Sequence, residues 1–214
     1  MTFYKNRERF SKLSIKIGIV FSKFGLSPNT WTLISIIPAL IAVWFLVRNE
    51  FLIAAALFIV SVFIDLIDGS VARVTGRVTI LGAYLDTIVD RYVEAIIIFG
   101  LLFASLPAFA VPMTEIIVPA YVLIFLYFFG GLMTTYVKAA AKEKGLVEKE
   151  LKGGLLERAE RLILLFVGIL LAIVDPLYLT YMLVILALLT NITALQRIWI
   201  AVRKEKHFNQ PVKM

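Results

Sequence analysis

The chain has 214 residues, of which 61% are hydrophobic, and a formal net charge of +7. A soluble domain is only about half apolar, so this composition indicates an integral membrane protein. The sequence contains no cysteine, which excludes disulfides, thiol catalysis and thiolate metal sites. Its only histidine is His207, near the C-terminus, so any metal must be held by oxygen atoms. In a membrane protein a basic balance reflects topology and anionic partners, and no nucleic-acid partner is expected.

Residues 1–25 have the pattern of a basic amphipathic helix. Apolar residues such as Phe10 and Phe24 recur at helical spacing, and lysines such as Lys12 and Lys16 fall largely between them. This pattern predicts a juxtamembrane helix that lies on the membrane surface. A cleaved signal peptide is not indicated, because lysines interrupt the apolar stretch and no small-residue cleavage site follows it.

Six further segments are long and apolar enough to span a bilayer, which takes about 20 residues in a helix. No internal repeat or soluble domain is visible, so residues 26–206 are interpreted as a six-helix bundle followed by a tail at 207–214. The expected fold class is therefore all-α, in one membrane domain that covers residues 1–214. The predicted spans are 30–48, 51–73, 79–106, 115–140, 158–174 and 177–202.

Lysine and arginine are distributed unevenly between the connections. They crowd the N-terminal segment, the second and fourth connections and the C-terminus, whereas the opposite connections hold only Arg48. By the positive-inside rule, both termini and the second and fourth connections are expected in the cytoplasm of a plasma-membrane protein.

Four aspartates interrupt the apolar hairpin FIDLIDGSVARVTGRVTILGAYLDTIVD, which begins at residue 63. Asp65 and Asp68 share one helix face, and Asp86 and Asp90 share another. Antiparallel helices can turn these faces together, on the order of 10 Å inside the cytoplasmic end. A charge at such depth costs at least about 2.5 kcal/mol, and two divalent ions between the carboxylates would offset that cost. The alternative is a solvated acidic loop or protonated acids.

Small residues lie on the same faces as the aspartates. Gly69, Ala72 and Gly82 are each one helical turn from an aspartate, so a bulky group could approach the carboxylates there. Arg73 stands at the mouth of the hairpin, where its planar guanidinium could hold a phosphate. Each glycine alone is more often a helix-packing residue. Together with the aspartates, the small residues outline a phosphate-and-metal site.

These residues resemble the signature of the CDP-alcohol phosphotransferase family. The resemblance covers the whole chain, since that family has six transmembrane helices and an N-terminal surface helix. The stretch PNTWT, which contains Asn29 and Thr32, is similar to a family element beside the nucleotide, although Asn29 could equally be a helix N-cap. Every fixed position of the signature is matched, by Asp65, Asp68, Gly69, Ala72, Arg73, Gly82, Asp86 and Asp90.

The resemblance implies transfer of a lipid phosphate group from CDP-diacylglycerol or CDP-archaeol to an alcohol, with release of CMP. Asp65, Asp68 and Asp86 would hold two Mg²⁺ or Mn²⁺ ions. Asp90 would also reach the second ion and act as general base towards the alcohol. A homodimer is implied as well. The implied CDP-lipid site consists of Asn29, Thr32, Asp65, Gly69, Ala72, Arg73 and Gly82.

Three cations at predicted helix ends favour an acceptor that already bears a phosphate. Lys138 lies near the end of the fourth span, Arg158 opens the fifth and Arg197 lies in the sixth. The stretches YVKA, GGLLERAER and NITALQR around them resemble the family's subgroup that makes phosphatidylinositol phosphate or archaetidylinositol phosphate. In that subgroup these three cations would bind the phosphate of inositol 1-phosphate.

Two alternatives remain open. Glycerol 3-phosphate is also a phosphorylated alcohol, so a cationic pocket alone does not exclude it, although the Glu-Arg-x-Glu-Arg element favours inositol phosphate. A cation or proton transporter would also carry intramembrane acids. Transporter sites, however, lie near the midplane between repeats or at broken helices, whereas these acids are confined to one hairpin near one interface. We therefore expect an enzyme.

Overall fold

The computed structural model describes residues 2–147 and 154–208, with side chains described for residues 12–147 and 154–203. Two compact units divide the chain, residues 1–104 and residues 105–214. The first unit is helical throughout the described part. Its helices are α1 (Thr2–Ser22), α2 (Pro28–Ile34), α3 (Ile36–Val47), α4 (Phe51–Val74) and α5 (Ile80–Leu101).

Helix α4 is the centre of the first unit, because α1, α2 and α3 all pack against it, while α5 packs chiefly against α2 and α3. The helix expected over residues 1–25 is present as α1. Its contact face includes Ile17 and Phe21, which pack on a buried cluster of Trp31, Ile67 and Val71. The apolar residues of α1 therefore cover the end of α4 and the start of α2.

The first predicted span is broken at Ser35, which separates α2 from α3. Pro38 has no N–H and cannot bond to the carbonyl of Ile34, so a regular helix is not sustained there. Two serine hydroxyls donate hydrogen bonds to backbone carbonyls at the break. Ser35 Oγ donates to the Thr32 carbonyl at 2.7 Å, and Ser61 Oγ donates to the Ser35 carbonyl at 2.6 Å. The expectation of one continuous helix over 30–48 is thereby corrected.

The second unit is built around one long helix. Helix α8 (Pro176–Phe208) packs against α6 (Ala120–Glu143) and α7 (Arg158–Leu171). The contact with α6 is close because of Gly130, where a Cβ would lie 2.9 Å from the backbone nitrogen of Asn191. Small residues of this kind let helix backbones approach each other in membrane proteins.

A two-stranded hairpin precedes α6 and corrects the all-α expectation. Strand β1 (Phe109–Ala110) pairs antiparallel with β2 (Ile117–Val118). The third and fourth predicted spans are accordingly shorter than expected, since α5 ends at Leu101 and α6 begins at Ala120. Pro107, Pro112 and Pro119 fall between these helices, and proline is disfavoured in a helix interior.

Four segments of the described chain are long and apolar enough to cross a membrane, which supports an integral membrane protein. The other two predicted spans are not both long and apolar enough to be counted with these four. Helix α5 carries several charged residues, and α7 has only 14 residues. Six spans therefore stay a prediction. The four segments are Pro28–Val47, Phe51–Val74, Ala120–Glu143 and Pro176–Arg203.

Candidate active site

Three carboxylates from α4 and α5 converge in the first unit. One oxygen from each of Asp65, Asp68 and Asp86 lies within 4.8 Å of the other two. Oxygens bound to one ion at about 2.1 Å are at most about 4.2 Å apart, so a small adjustment of these side chains would let them share a Mg²⁺ or Mn²⁺ ion. Asp68 is 5% exposed, and a buried carboxylate needs such a partner. The residues present fit a divalent cation.

Asp90 lies outside this group of three, one turn further along α5 than Asp86. It is buried, with 8% of its surface exposed. The sequence predicted that four carboxylates converge, whereas the structure brings three together and leaves Asp90 at the next turn. Its roles as metal ligand and general base stay predictions.

Thr32 holds one of the three carboxylates. Its hydroxyl donates to Oδ2 of Asp68 at 2.5 Å, and both side chains are buried. Hydrogen bonds to an ionised acceptor are short and strong, and such partners orient the ligands of a metal. The resemblance placed Thr32 beside the nucleotide. In the structure it also fixes the predicted metal ligand, a contact that the sequence analysis missed.

A cavity of about 310 Å³ opens beside the carboxylates. This volume is at the lower end of the range of about 300–1,000 Å³ for small-molecule sites. Asp68, Asp86 and Arg73 all line it, so two predicted metal ligands and a guanidinium that can pair with phosphate face one space. All predicted donor-site residues except Asp65 line the cavity, namely Asn29, Thr32, Gly69, Ala72, Arg73 and Gly82.

Two of the polar lining residues, Arg77 and Thr79, were not predicted as part of this site. Arg77 had been attributed to topology alone, and Thr79 had no role. Thr79 is the N-cap of α5, and its Oγ1 accepts the N–H of Gly82 at 3.0 Å. A threonine directly before an apolar helix is a recognisable N-cap signal, so Thr79 could have been found from the sequence.

The two glycines of the cavity make room for its polar side chains. A Cβ on Gly69 would lie 3.3 Å from Nη1 of Arg73, and a Cβ on Gly82 would lie 3.2 Å from Oδ1 of Asn29. Any larger residue would therefore displace a side chain that lines the cavity. That a nucleotide uses the remaining space stays a prediction.

The three predicted acceptor residues all lie in the second unit, on three different helices. Arg197 of α8 is 3% exposed, and its Nη1 donates to the carbonyl of Thr134 on α6 at 2.8 Å. Lys138 lies one turn beyond Thr134 on α6, and Arg158 is the first residue of α7; both are partly buried. Their convergence on one phosphate stays a prediction.

The loop before α7 is bonded to α8 next to Arg197. The N–H of Leu156 donates to Oγ1 of Thr193 at 3.1 Å. Gly154 has φ +122°, and a Cβ there would collide with Thr193 and lie 3.3 Å from Nε of Arg197. The stretches GGLLERAER and NITALQR therefore contact each other, while Gly153 lies outside the described residues.

Arg161 was not predicted as a site residue, although it is 1% exposed. Its Nη1 donates to Oγ1 of Thr134 at 3.0 Å. Thr134 thus accepts hydrogen bonds from two arginines. Its hydroxyl accepts from Arg161, and its carbonyl accepts from Arg197. The second arginine of the Glu-Arg-x-Glu-Arg element was the available signal, but its burial depends on the packing of α6 and α7.

The family model for CDP-alcohol phosphatidyltransferases matches residues 26–203. The chain belongs to this family. This CDP-alcohol phosphatidyltransferase is 31% identical over 191 residues to the archaetidylinositol phosphate synthase of Pyrococcus horikoshii, over 88% of this chain and 90% of the relative. It is 30% identical over 165 residues to the phosphatidylinositol phosphate synthase of Mycobacteroides abscessus, over 76% of this chain and 70% of the relative.

Solved structures of the phosphatidylinositol phosphate synthase of Mycobacterium tuberculosis are similar to this CDP-alcohol phosphatidyltransferase. The one with CDP-DAG bound has a TM-score of 0.75 and 26% identity, over 89% of this chain and 94% of that chain. One in complex with manganese and citrate has a TM-score of 0.75 and 26% identity, over 88% of each chain. The predictions of the family and of a membrane enzyme of phospholipid biosynthesis are confirmed.

Replacing Thr32 with Val removes the hydroxyl that donates to Asp68 and nearly preserves the volume. We expect the Kd for Mn²⁺ to rise about 10-fold, because hydrogen bonds that orient metal ligands contribute about 10–100-fold in affinity. Electron paramagnetic resonance of free Mn²⁺ measures this Kd on purified protein. Thr32→Ser keeps the hydroxyl and should bind Mn²⁺ like the unsubstituted protein, whereas an unchanged Kd in Thr32→Val would contradict the positioning role.

Proposed function

We propose that this enzyme transfers the lipid phosphate group of a CDP-linked lipid to inositol 1-phosphate and releases CMP. The observation that carries the proposal is that Asp68, Asp86 and Arg73 all line the same cavity. Carboxylates that can hold divalent ions beside a guanidinium are the groups that a diphosphate requires. The names of the relatives support inositol phosphate as acceptor. CDP-DAG in the similar Mycobacterium tuberculosis enzyme supports the donor class.

Asp65, Asp68 and Asp86 would hold the divalent ions, and Asp90 would contribute to the second. When bound, two such ions neutralise the diphosphate and the charge that develops on the leaving CMP. Manganese in the similar Mycobacterium tuberculosis enzyme supports Mn²⁺ or Mg²⁺ as the ion. Thr32 would keep Asp68 in its binding rotamer.

Asp90 would act as the general base. It would accept the proton of the acceptor hydroxyl while that oxygen attacks the β-phosphorus of the CDP-lipid. The new bond joins the acceptor oxygen to the β-phosphorus, and the bond from the β-phosphorus to the oxygen of CMP breaks. The position of Asp90, one turn from Asp86 and buried, supports a base beside the ions that is shielded from bulk water.

The donor would be held by the cavity residues outside the carboxylate group. Arg73 would contact the phosphates, since a guanidinium pairs with phosphate through parallel hydrogen bonds. Asn29, which lies over Gly82 and lines the cavity with Ala72, would contact the nucleotide. The lipid chains remain either diacylglycerol or archaeol, and both donors enter the test below.

Lys138, Arg158 and Arg197 would bind the phosphate of the acceptor. The hydrogen bond from Arg197 to the Thr134 carbonyl restricts the side chain to one position. Such preorganisation lowers the entropic cost of binding a phosphate.

We further propose that the two units act as one catalytic domain with six spans, in a homodimer in the plasma membrane. The basic connections support cytoplasmic termini and a cytoplasmic catalytic cavity. The polar face of α5 supports its role as a span, because charged residues within membranes face the protein interior.

Purified enzyme with Mn²⁺ should release CMP when CDP-diacylglycerol or CDP-archaeol is combined with inositol 1-phosphate, because only this acceptor offers an inositol ring together with a phosphate for the three cations. Glycerol 3-phosphate and free inositol are the control acceptors, and chromatography of CMP is the measurement. Release only with glycerol 3-phosphate would overturn the acceptor while keeping the chemistry, and no release with any pair would overturn the proposed function.

Replacing Asp90 with Asn removes the base and keeps the side-chain shape. We expect CMP release to fall by at least about 100-fold, the lower range for general base catalysis, while thermal unfolding stays unchanged. Glu50→Gln, an exposed substitution just before α4, is the charge-matched control. Turnover near that of the unsubstituted enzyme would remove Asp90 from the base role.

Replacing Lys138 with Ala should raise the KM for inositol 1-phosphate about 10-fold, because a charge-assisted hydrogen bond to phosphate is lost. The KM for the CDP-lipid should not change. Lys142→Ala is the matched control, since Lys142 is an exposed lysine one turn further along α6. Equal effects of the two substitutions on the acceptor KM would show only a general loss of charge and would exclude a specific contact by Lys138.

A further inference from the structure

Arg73, which lines the donor cavity, is hydrogen bonded to the N-terminal helix α1. Its Nη2 donates to Oγ of Ser14 at 2.7 Å, across a separation of 59 positions in the sequence. The same guanidinium lies over Gly69, with Nη1 3.3 Å from where a Cβ on that residue would be. One end of the guanidinium is therefore held by α1 while the group as a whole borders the cavity.

The hydroxyl groups around Arg73 form a chain with a single direction. Oγ of Ser70 donates its only hydrogen to the carbonyl of Leu66 at 2.8 Å. In the 2.9 Å contact between Ser14 and Ser70, Ser14 must therefore be the donor. The oxygen of Ser14 is then left to accept from Arg73. Oγ of Ser70 also accepts from Nη2 of Arg73, at the longer distance of 3.4 Å. The guanidinium and the two hydroxyls thus form one network, in which neighbouring bonds strengthen each other.

The backbone of α1 fixes where Ser14 lies. Gly18 is one turn beyond Ser14 on the same helix face, and it is buried against α4. A Cβ on Gly18 would lie 2.5 Å from the carbonyl oxygen of Ser70 and 2.6 Å from Cγ2 of Val74. Only glycine permits this approach, so the register between α1 and α4 is tightly determined. The contact of Ser14 with Arg73 follows from that register.

Arginine is a long side chain, and Arg73 is exposed beyond this contact. Such a side chain loses rotamer freedom when it binds a phosphate, which weakens binding unless the rotamer is already fixed. Ser14 and, at 3.4 Å, Ser70 engage Nη2, which leaves the N–H groups of Nη1 and Nε for a ligand. The hydrogen bond therefore fits preorganisation of Arg73 rather than its sequestration.

We propose that Ser14 is a positioning residue for the donor site. It holds the Arg73 guanidinium over Gly69, so that the remaining N–H groups meet the diphosphate of the CDP-linked lipid. This inference rests on the proposed function. It makes α1 a part of the donor site, in addition to its packing on α4.

The test measures CDP binding to the purified full chain in the presence of Mn²⁺, by isothermal titration calorimetry. Ser14→Ala should raise the Kd for CDP about 3- to 10-fold, and the KM for CDP-lipid by a similar factor, with kcat changed less than about twofold. Ser14→Thr, which keeps the hydroxyl, should restore the Kd. Ser22→Ala is the matched control, because the Ser22 hydroxyl bonds to the Ile19 carbonyl within α1.

A second comparison separates positioning from general stabilisation. In an Arg73→Gln background, Ser14→Ala should leave the Kd for CDP unchanged, since residues that act through one another are not additive. Additive effects, or an unchanged Kd in Ser14→Ala alone, would overturn the inference. Ser14→Cys replaces Ser14→Ala if the latter fails to fold. Absence of CDP binding by the unsubstituted enzyme would instead overturn the proposed function, and this inference with it.

Discussion

The constraint on which the first unit depends is the close placement of carboxylates in an apolar helix pair. Three carboxylate oxygens within 4.8 Å repel one another strongly when they are partly buried. A divalent cation would offset this repulsion, and the hydrogen bond from Thr32 would hold Asp68 in place for it. Helix α2 contributes both to the carboxylate cluster, through Thr32, and to the predicted nucleotide site, through Asn29. These two residues are three positions apart on one helix face, and both line the cavity.

The carboxylate cluster and most of the cavity lining could be predicted from the sequence because they follow local periodicity. Aspartates three or four residues apart share a helix face, and the energetic cost of their charges in an apolar segment identifies them as functional. The contacts from Thr32 to Asp68 and from Ser14 to Arg73 span 36 and 59 positions. They depend on how each helix is rotated about its axis, which the sequence pattern does not determine. The same holds for Asp90, which the spacing predicted to converge with the other three aspartates but which lies outside their group in the structure.

In the second unit, the sequence singled out stretches that contact each other, but it could not separate candidate ligand-binding groups from structural ones. Thr193 accepts a loop N–H, and Thr134 receives two arginines. A buried arginine needs hydrogen-bond acceptors within the protein. Some residues of these stretches therefore serve as hydrogen-bond partners for other residues of the protein. The β1–β2 hairpin was missed for a related reason, since strands of two residues carry too little periodicity to be recognised.

The contact between α1 and Arg73 bears on how an enzyme can bind a CDP-lipid, whose head group is water-soluble while its chains lie in the membrane. A CDP-lipid presents its diphosphate at the depth where hydrocarbon gives way to water, so the groups that bind it must be held at that depth. An amphipathic helix finds this depth from its own apolar and basic faces. Gly18 fixes α1 on α4, and Ser14 connects the same face to Arg73, the arginine proposed to bind the phosphates. The helix predicted to lie at the membrane surface would thus set the height of the donor site.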